Sequence, residues 1–311
     1  MPIKGVSDFG IIMEIELDQS VTPFNLRHTL ECGQTFRWKR LDGWWYGVVR
    51  EKVIKIKQIG DKLQVQSFPE GINADFIQDY FRLSDNLPLI LSKIDKDEHI
   101  RKAIQQFYGL RITRQEPWEC LISYICATYK NIPAIKEMIH SLCRQFGRKI
   151  TLDGYDFYTF PKPNDLVEAN IGDIRTCKLG FRTKRVLETS KIIDSGELDL
   201  EVLTQVDYEN AKLELLRLPG VGHKVADCIL LFSLNKLQAF PVDVWVKRII
   251  LEFYPGFLGQ SFVDGVSKKD SISYHEYGKF SNFGKEYFGQ YAGYAQEYLY
   301  QWKRLNQTTY T

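Results

Sequence analysis

The chain has no CxxC pair, no clustered cysteines, no long basic tail and a net charge of only +2. Its six cysteines (Cys32, Cys120, Cys126, Cys143, Cys177, Cys228) are scattered. That pattern excludes a disulfide framework and an iron–sulfur cluster, and reads as reduced core thiols in a cytosolic-type compartment. No apolar run approaches the roughly 20 residues of a membrane helix, so no membrane partner is expected. Acids at Glu14, Glu16 and Asp18 argue against a secretory or transit peptide. With 44% hydrophobic and 26% charged residues over 311 positions, composition gives an ordinary globular protein of one large domain or two to three modest ones.

Charge is informative locally. From Arg175 to Lys191 six basic residues face one acid, and from Arg111 to Lys149 seven face three. Each run reads alone as a solvated helix face. The first hundred residues hold short aromatic or β-branched runs at Thr35–Trp38, Trp44–Arg50, Val53–Gln58 and Lys62–Gln66, punctuated by Asp42-Gly43 and Gly60-Asp61. These predict antiparallel hairpins, followed by helices over Ala74–Phe81 and Leu87–Phe107. From Pro117 onward apolar residues recur three and four apart, predicting helices over Glu119–Thr128, Ile132–Phe146, Leu166–Asn170, Thr183–Ser195, Leu200–Val206, Asn210–Leu216, Lys224–Leu234, Val244–Phe253 and Gly289–Trp302. Phe257–Phe280 is polar and glycine-containing, and reads as a loop or mobile connection. The fold class is α+β: an antiparallel β domain with helices over 13–110, then a helical region over 111–311. The latter is expected to form two subdomains with a site between them.

Two stretches carry the chemistry. Leu218-Pro219-Gly220-Val221-Gly222-His223-Lys224 reads as a hairpin between two helices, with glycines at 220 and 222 for positive φ. Such a turn aims backbone N–H groups from a helix N-terminus, which makes a sequence-independent phosphate cradle. Asp243, in Pro241-Val242-Asp243-Val244-Trp245, reads as a helix N-cap. A lone lysine early in a helix is usually a solvated side chain, and a Leu-Pro-Gly-x-Gly turn can simply join packed helices. The spacing of Lys224, Asp227 and Asp243 around the hairpin resists both readings.

Together these residues resemble the helix-hairpin-helix, glycine/proline-rich loop and terminal aspartate of DNA base-excision glycosylases. Further segments narrow the resemblance to the 8-oxoguanine DNA glycosylase family, from about Ile15 to Trp302. They are Cys32-Gly33-Gln34-Thr35-Phe36-Arg37-Trp38, Arg111–Pro117, Leu121–Asn131 and Tyr291–Gln296. The resemblance implies that duplex DNA containing 8-oxoguanine is the partner, acted on by a monomer. Lys224 would attack the sugar as a neutral amine and form a Schiff base, a state that burial favours. β-Elimination would follow, with Asp243 supplying electrostatic stabilisation and help with protons. The Gly33 carbonyl would accept the N7–H that oxidised guanine has and guanine lacks. Gln296 would read the pairing edge of the flipped base, and Tyr300 and Cys228 would sandwich it. Gly220, Val221, Gly222, Tyr129, Asn131, Phe181 (as wedge), Arg182 (toward the orphaned cytosine) and Trp245 would contact DNA. No cofactor is required, though a cation on the carbonyls of Leu216, Leu218 and Val221 is a weak expectation.

The departures from that family are specific. Tyr129 and Lys130 replace asparagines, leaving Asn131. Ala134 stands where animal and fungal members have a second cytosine-reading arginine, and Trp245 replaces a phosphate-contacting histidine. Fewer donors toward the opposite base imply a relaxed opposite-base preference. Lacking a long basic tail, the chain fits a bacterial-type, cytoplasmic and nucleoid-associated member. Endonuclease III-type relatives carry the lysine but also a four-cysteine cluster, and alkyladenine glycosylases lack the lysine. A binding-only damage sensor would not need both Lys224 and Asp243.

Overall fold

The computed structural model describes residues 12–269 and 271–307. Residues 1–11, part of the expected leader-free N-terminus, and 308–311, the end of the expected helical region, lie outside it. The chain opens with β1 (Met13–Glu16) and α1 (Leu26–Glu31), followed by β2 (Lys39–Leu41), β3 (Trp44–Val49), β4 (Lys52–Ile59) and β5 (Lys62–Phe68). The five strands form one sheet in the order β1-β5-β4-β3-β2, with every neighbouring pair antiparallel. The Asp42-Gly43 and Gly60-Asp61 turns lie where expected, and Asp42, Gly43 and Gly60 all take positive φ.

Thr35–Trp38 is not a strand. Trp38 instead lies over Gly47 of β3, where a Cβ would come within 2.4 Å of the indole, and its Nε1 donates to the Tyr80 hydroxyl at 2.9 Å. The segment crosses from the sheet to the helices, which explains its buried aromatics without a ladder. One face of the sheet packs Ile54, Ile56, Leu63 and Trp38 against α2 (Ala74–Tyr80). The other packs Tyr46, Val48 and Val53 against an unforeseen hairpin, β6 (Lys149–Leu152) and β7 (Tyr155–Tyr158).

The helical core begins with α3 (Leu87–Ile94) and α4 (Glu98–Gln106), whose apolar faces join it. It therefore crosses the division at residue 110 expected from sequence. It continues through α5 (Pro117–Ala127), α6 (Ile132–Phe146), α7 (Pro163–Val167), α8 (Ile171–Thr176) and α9 (Arg182–Asp194), then α10 (Tyr208–Leu216), α11 (His223–Phe232) and α12 (Val244–Phe253). α13 (Gln260–Val266), α14 (Tyr274–Phe288) and α15 (Ala292–Gln307) close the chain. Phe257–Phe280 is thus largely helical, because Tyr277 and Phe280 face the core and Ser273 and Glu276 form a capping box. Leu200–Val206 holds only a 3-10 turn over Val202–Thr204. Tyr298 is fully buried and donates to the Leu110 carbonyl, which ties α15 to the start of the α5 segment. Among the described residues no helix is long and apolar enough to cross a membrane.

Candidate active site

α10 and α11 form the hairpin. Only Gly220 needs glycine's freedom: its φ is +89°, and a Cβ there would meet the Arg185 side chain at 2.9 Å. Gly222, expected to share that conformation, is extended at φ −96° and serves as the N-cap of α11. The turn is closed by the Val221 N–H on the Leu218 carbonyl at 3.1 Å and tied to α9 by the Thr189 hydroxyl on the Pro219 carbonyl at 3.0 Å. The amides offered to a phosphate are therefore those of the first turn after Gly222, where an α-helix leaves its N–H groups unpaired. Leu218, one of the three carbonyls expected to hold a cation, already accepts this turn bond and keeps its second lone pair.

Lys224 is the second residue of α11, and its Nζ lies 5.1 Å from the centroid of the Tyr124 ring. That ring is fixed by stacking on Phe232 and by its hydroxyl on the Gln34 carbonyl at 3.1 Å. Asp243 is the N-cap of α12 and accepts the Val246 N–H at 2.8 Å. Burial pushes its carboxyl pKa up, against the opposing pull of the Val246 amide and the Lys224 charge. Capping and facing Lys224 are thus two jobs of one side chain. Behind both, Asp227 of α11 is fully buried. It is satisfied by Tyr208 at 2.7 Å, by Lys212 at 2.8 Å and by the Tyr277 hydroxyl.

Lys224 and Asp243 open into a cleft of about 110 Å³ whose walls also carry Gly33, Cys228, Gln296 and Tyr300. All six of the expected catalytic and base-contacting residues therefore meet in one place. Gly33 has φ +102°, and a Cβ there would come within 3.0 Å of Arg304 Nη1 and 3.2 Å of Ile132 Cδ1. Burial pushes the Cys228 thiol pKa up to about 12, so the thiol is neutral, as suits an apolar wall. Gln296 is 5% exposed and its Oε1 has no partner, which leaves an unmet acceptor on a residue of the cleft wall.

Sequence reasoning missed two residues here. Gln34, next to Gly33, is 1% exposed. Its amide donates to the carbonyls of Thr29 and Arg111 and accepts from Thr113 N at 2.8 Å. It bolts the Gly33 loop to the segment before α5, and its signal was a glutamine inside a buried aromatic run. Glu297, beside Gln296, also lines the cleft. A charge amid Tyr-Ala-Gln-Glu-Tyr-Leu was the available clue.

The expected DNA contacts differ in their exposure. Tyr129 is 91% exposed at φ +55°, and Phe181 is also exposed. Trp245 is half-buried in the first turn of α12. Asn131 uses its side chain to cap α6 through the Ala134 N–H at 3.0 Å. Arg182, expected to face the orphaned cytosine, is 2% exposed. Its guanidinium donates to the carbonyls of Thr128 and Leu179, because the turn after α5 leaves carbonyls that need donors. Arg182 thus clamps the Tyr129 turn to the Phe181 turn.

Comparison with known proteins identifies the family. Residues 16–121 match the family model described as the 8-oxoguanine DNA glycosylase N-terminal domain. The chain is 32% identical to the N-glycosylase/DNA lyase of Saccharomyces cerevisiae, over 74% of this chain and 68% of that protein. It is 29% identical to a probable N-glycosylase/DNA lyase of Methanothermobacter thermautotrophicus, over 90% and 93%. A crystal structure of the Clostridium acetobutylicum 8-oxoguanine glycosylase/lyase, bound to duplex DNA with cytosine opposite 8-oxoguanine, superposes with a TM-score of 0.82. The sequences there are 33% identical, and the match covers 96% of this chain and 99% of that one. The chain belongs to the 8-oxoguanine DNA glycosylase family of N-glycosylase/DNA lyases.

Proposed function

We propose that this chain is a base-excision repair enzyme that flips 8-oxoguanine out of duplex DNA, cuts its glycosidic bond and then nicks the strand by β-elimination. The observation that carries the reading is the convergence of Lys224 and Asp243 on a cleft that also bears Gly33 and Gln296. Extruding a base costs a few kcal/mol, and the hairpin and the exposed aromatics at 129 and 181 supply compensating contacts. In the cleft, the Gly33 carbonyl accepts N7–H from the oxidised base. Gln296 meets its pairing edge, and Tyr300 and Cys228 hold its faces. Nζ of Lys224 attacks C1′ as the base departs, and Asp243 offsets the positive charge that builds on the sugar. The resulting Schiff base acidifies the adjacent carbon, so the 3′ phosphate leaves. An amine and a carboxylate suffice for these steps without a cofactor, and one copy of the chain serves one lesion. Hydrogen-bond donors toward the opposite base are few: Ala134 offers none, and Arg182 is committed to carbonyls. A relaxed opposite-base preference follows, with cytoplasmic, nucleoid-associated work as the setting.

The test is borohydride trapping on a duplex with one 8-oxoguanine opposite cytosine, beside an undamaged control. A lesion-dependent covalent adduct that Lys224→Gln abolishes, with DNA binding retained, is expected. Trapping that persists in Lys224→Gln would overturn the nucleophile assignment.

A further inference from the structure

The cleft holds a second carboxyl group that the reaction above does not use. Glu297 is 4% exposed, and its Oε2 has no partner despite lying in a wall shared with Lys224 and Asp243. Leaving a carboxylate oxygen buried and unmatched costs free energy comparable to a lost hydrogen bond or more. A core position has cheaper occupants. An unmatched acidic oxygen facing a reaction chamber is suited to a proton.

We propose that Glu297 is a further acid–base residue of the excision reaction: it accepts the proton that Lys224 must shed before attack, and returns it to the departing base. The assignment rests on the lysine Schiff-base reading above. In the first step an Nζ–H bond of the Lys224 ammonium breaks and an O–H bond forms on Glu297, while the electron pair stays on Nζ. That pair then bonds C1′ as the C1′–N bond to the base breaks and its electrons leave with the base. The proton on Glu297 passes to the base anion, and the carboxylate is restored.

The two carboxyl groups are divided by their surroundings, as acid–base pairs in one site usually are. Burial raises the carboxyl pKa of Asp243 as well, but at the N-terminus of α12 the helix amides and Lys224 pull it back toward the anion, which suits a negative charge beside the sugar. Glu297, inside α15, has the Cys32 thiol beside it, a thiol that also lies 3.3 Å from the Thr29 carbonyl. Burial raises its carboxyl pKa to about 7. Cys32, Arg304 and Lys224 pull the other way, while Asp243 adds to the rise. The other titratable groups around it are the buried Tyr124 of α5, Cys228 of α11 and Tyr300 of α15, each of which feels its charge. Lys130 stands at the same cleft. A group poised near neutrality can both take and give a proton at working pH.

Single-turnover excision and borohydride trapping, followed from pH 5.5 to 9 on 8-oxoguanine duplex, test this. The wild-type rate should rise through a limb near neutral pH. Glu297→Gln keeps the shape but not the proton, and should lose that limb and fall at least tenfold at pH 8, with lesion-DNA affinity unchanged. Cys32→Ala removes the thiol that favours the anion and should move the limb to higher pH, which a merely structural glutamate would not do. A Glu297→Gln profile that overlays the wild type, with trapping intact, would overturn the proposal and leave the lysine reading standing. A wild-type enzyme that neither traps nor excises would overturn both.

Discussion

The phenol of Tyr277 joins the two segments that carry the site. It donates to Asp227, three residues after Lys224, and accepts the N–H of Val242, the residue before Asp243, at 3.4 Å. α14 thereby sets the distance between lysine and aspartate from behind. Tyr277→Phe removes one donor from a buried carboxylate and one acceptor from a buried amide. It should cost about 1–3 kcal/mol in denaturant unfolding and slow excision severalfold while lesion affinity holds. Unchanged stability would mean that Lys212 and Tyr208 alone satisfy Asp227.

Asp243 caps and catalyses, and two substitutions separate the roles. Asn caps a helix about as well as Asp, so Asp243→Asn should melt close to wild type and yet excise roughly a hundredfold more slowly. Asp243→Ala should add a loss of about 1 kcal/mol in stability. Equal melting temperatures for the two variants would sink the capping role.

Gly33→Ala places a side chain at φ +102° against Arg304 and Ile132. Strain of about 1–3 kcal/mol should displace the carbonyl assigned to N7–H. The ratio of excision rates on 8-oxoguanine and guanine should drop by roughly tenfold, and a preserved ratio would move the discrimination elsewhere.

With Arg182 turned inward and Ala134 short, the opposite base should matter little. Excision of 8-oxoguanine opposite cytosine, adenine, guanine and thymine should fall within about one order of magnitude, since a missing good contact costs roughly 1–3 kcal/mol. A hundredfold preference for cytosine in matched duplexes would refute this.

Glu297 links the site to stability. Its carboxyl pKa rises on folding from an ordinary 4.5 to about 7, chiefly by burial. Between those values the folded state binds the extra proton, so stability falls as pH climbs from about 4.5 to 7 and stays lower above. Glu297→Gln should thus be the more stable protein at pH 7.5, by an amount on the order of 2–3 kcal/mol, and should match the wild type below pH 4.5. Urea melts at the two pH values would decide it.

Local signals were legible in the sequence where the physics is local. The bounds of α6 and α12 follow from the apolar repeats that end at Phe146 and Phe253, and for α12 from Asp243 as its cap. Lys224 and Asp243 were readable from their spacing around the hairpin, and Gly33, Cys228, Gln296 and Tyr300 through the family resemblance of the segments that carry them. What was hidden depends on partners far along the chain. Thr35–Trp38 has strand composition, but its aromatics are buried between layers. α14 buries an aromatic face beneath a polar, glycine-bearing sequence. Nothing near Arg182 announces that Thr128 and Leu179 need its guanidinium, and nothing near Gln34 announces Arg111 and Thr113.

The Gly33 loop hangs between the sheet and the helices, and Gln34 fastens it to backbone groups of Thr29, Arg111 and Thr113, to the Thr113 hydroxyl, and through its own carbonyl to the Gln115 amide and the Tyr124 hydroxyl. Lys224 and Asp243 stand on other elements, joined through α14. Inspection of the base and severing of the bond therefore share Tyr124, whose hydroxyl holds the Gly33 loop while its ring stands by Lys224 and stacks on Phe232 of α11. A lineage that exchanged the inspecting loop, and with it the lesion it prefers, would have to keep a seat for that one phenol or disturb the cutting lysine as well.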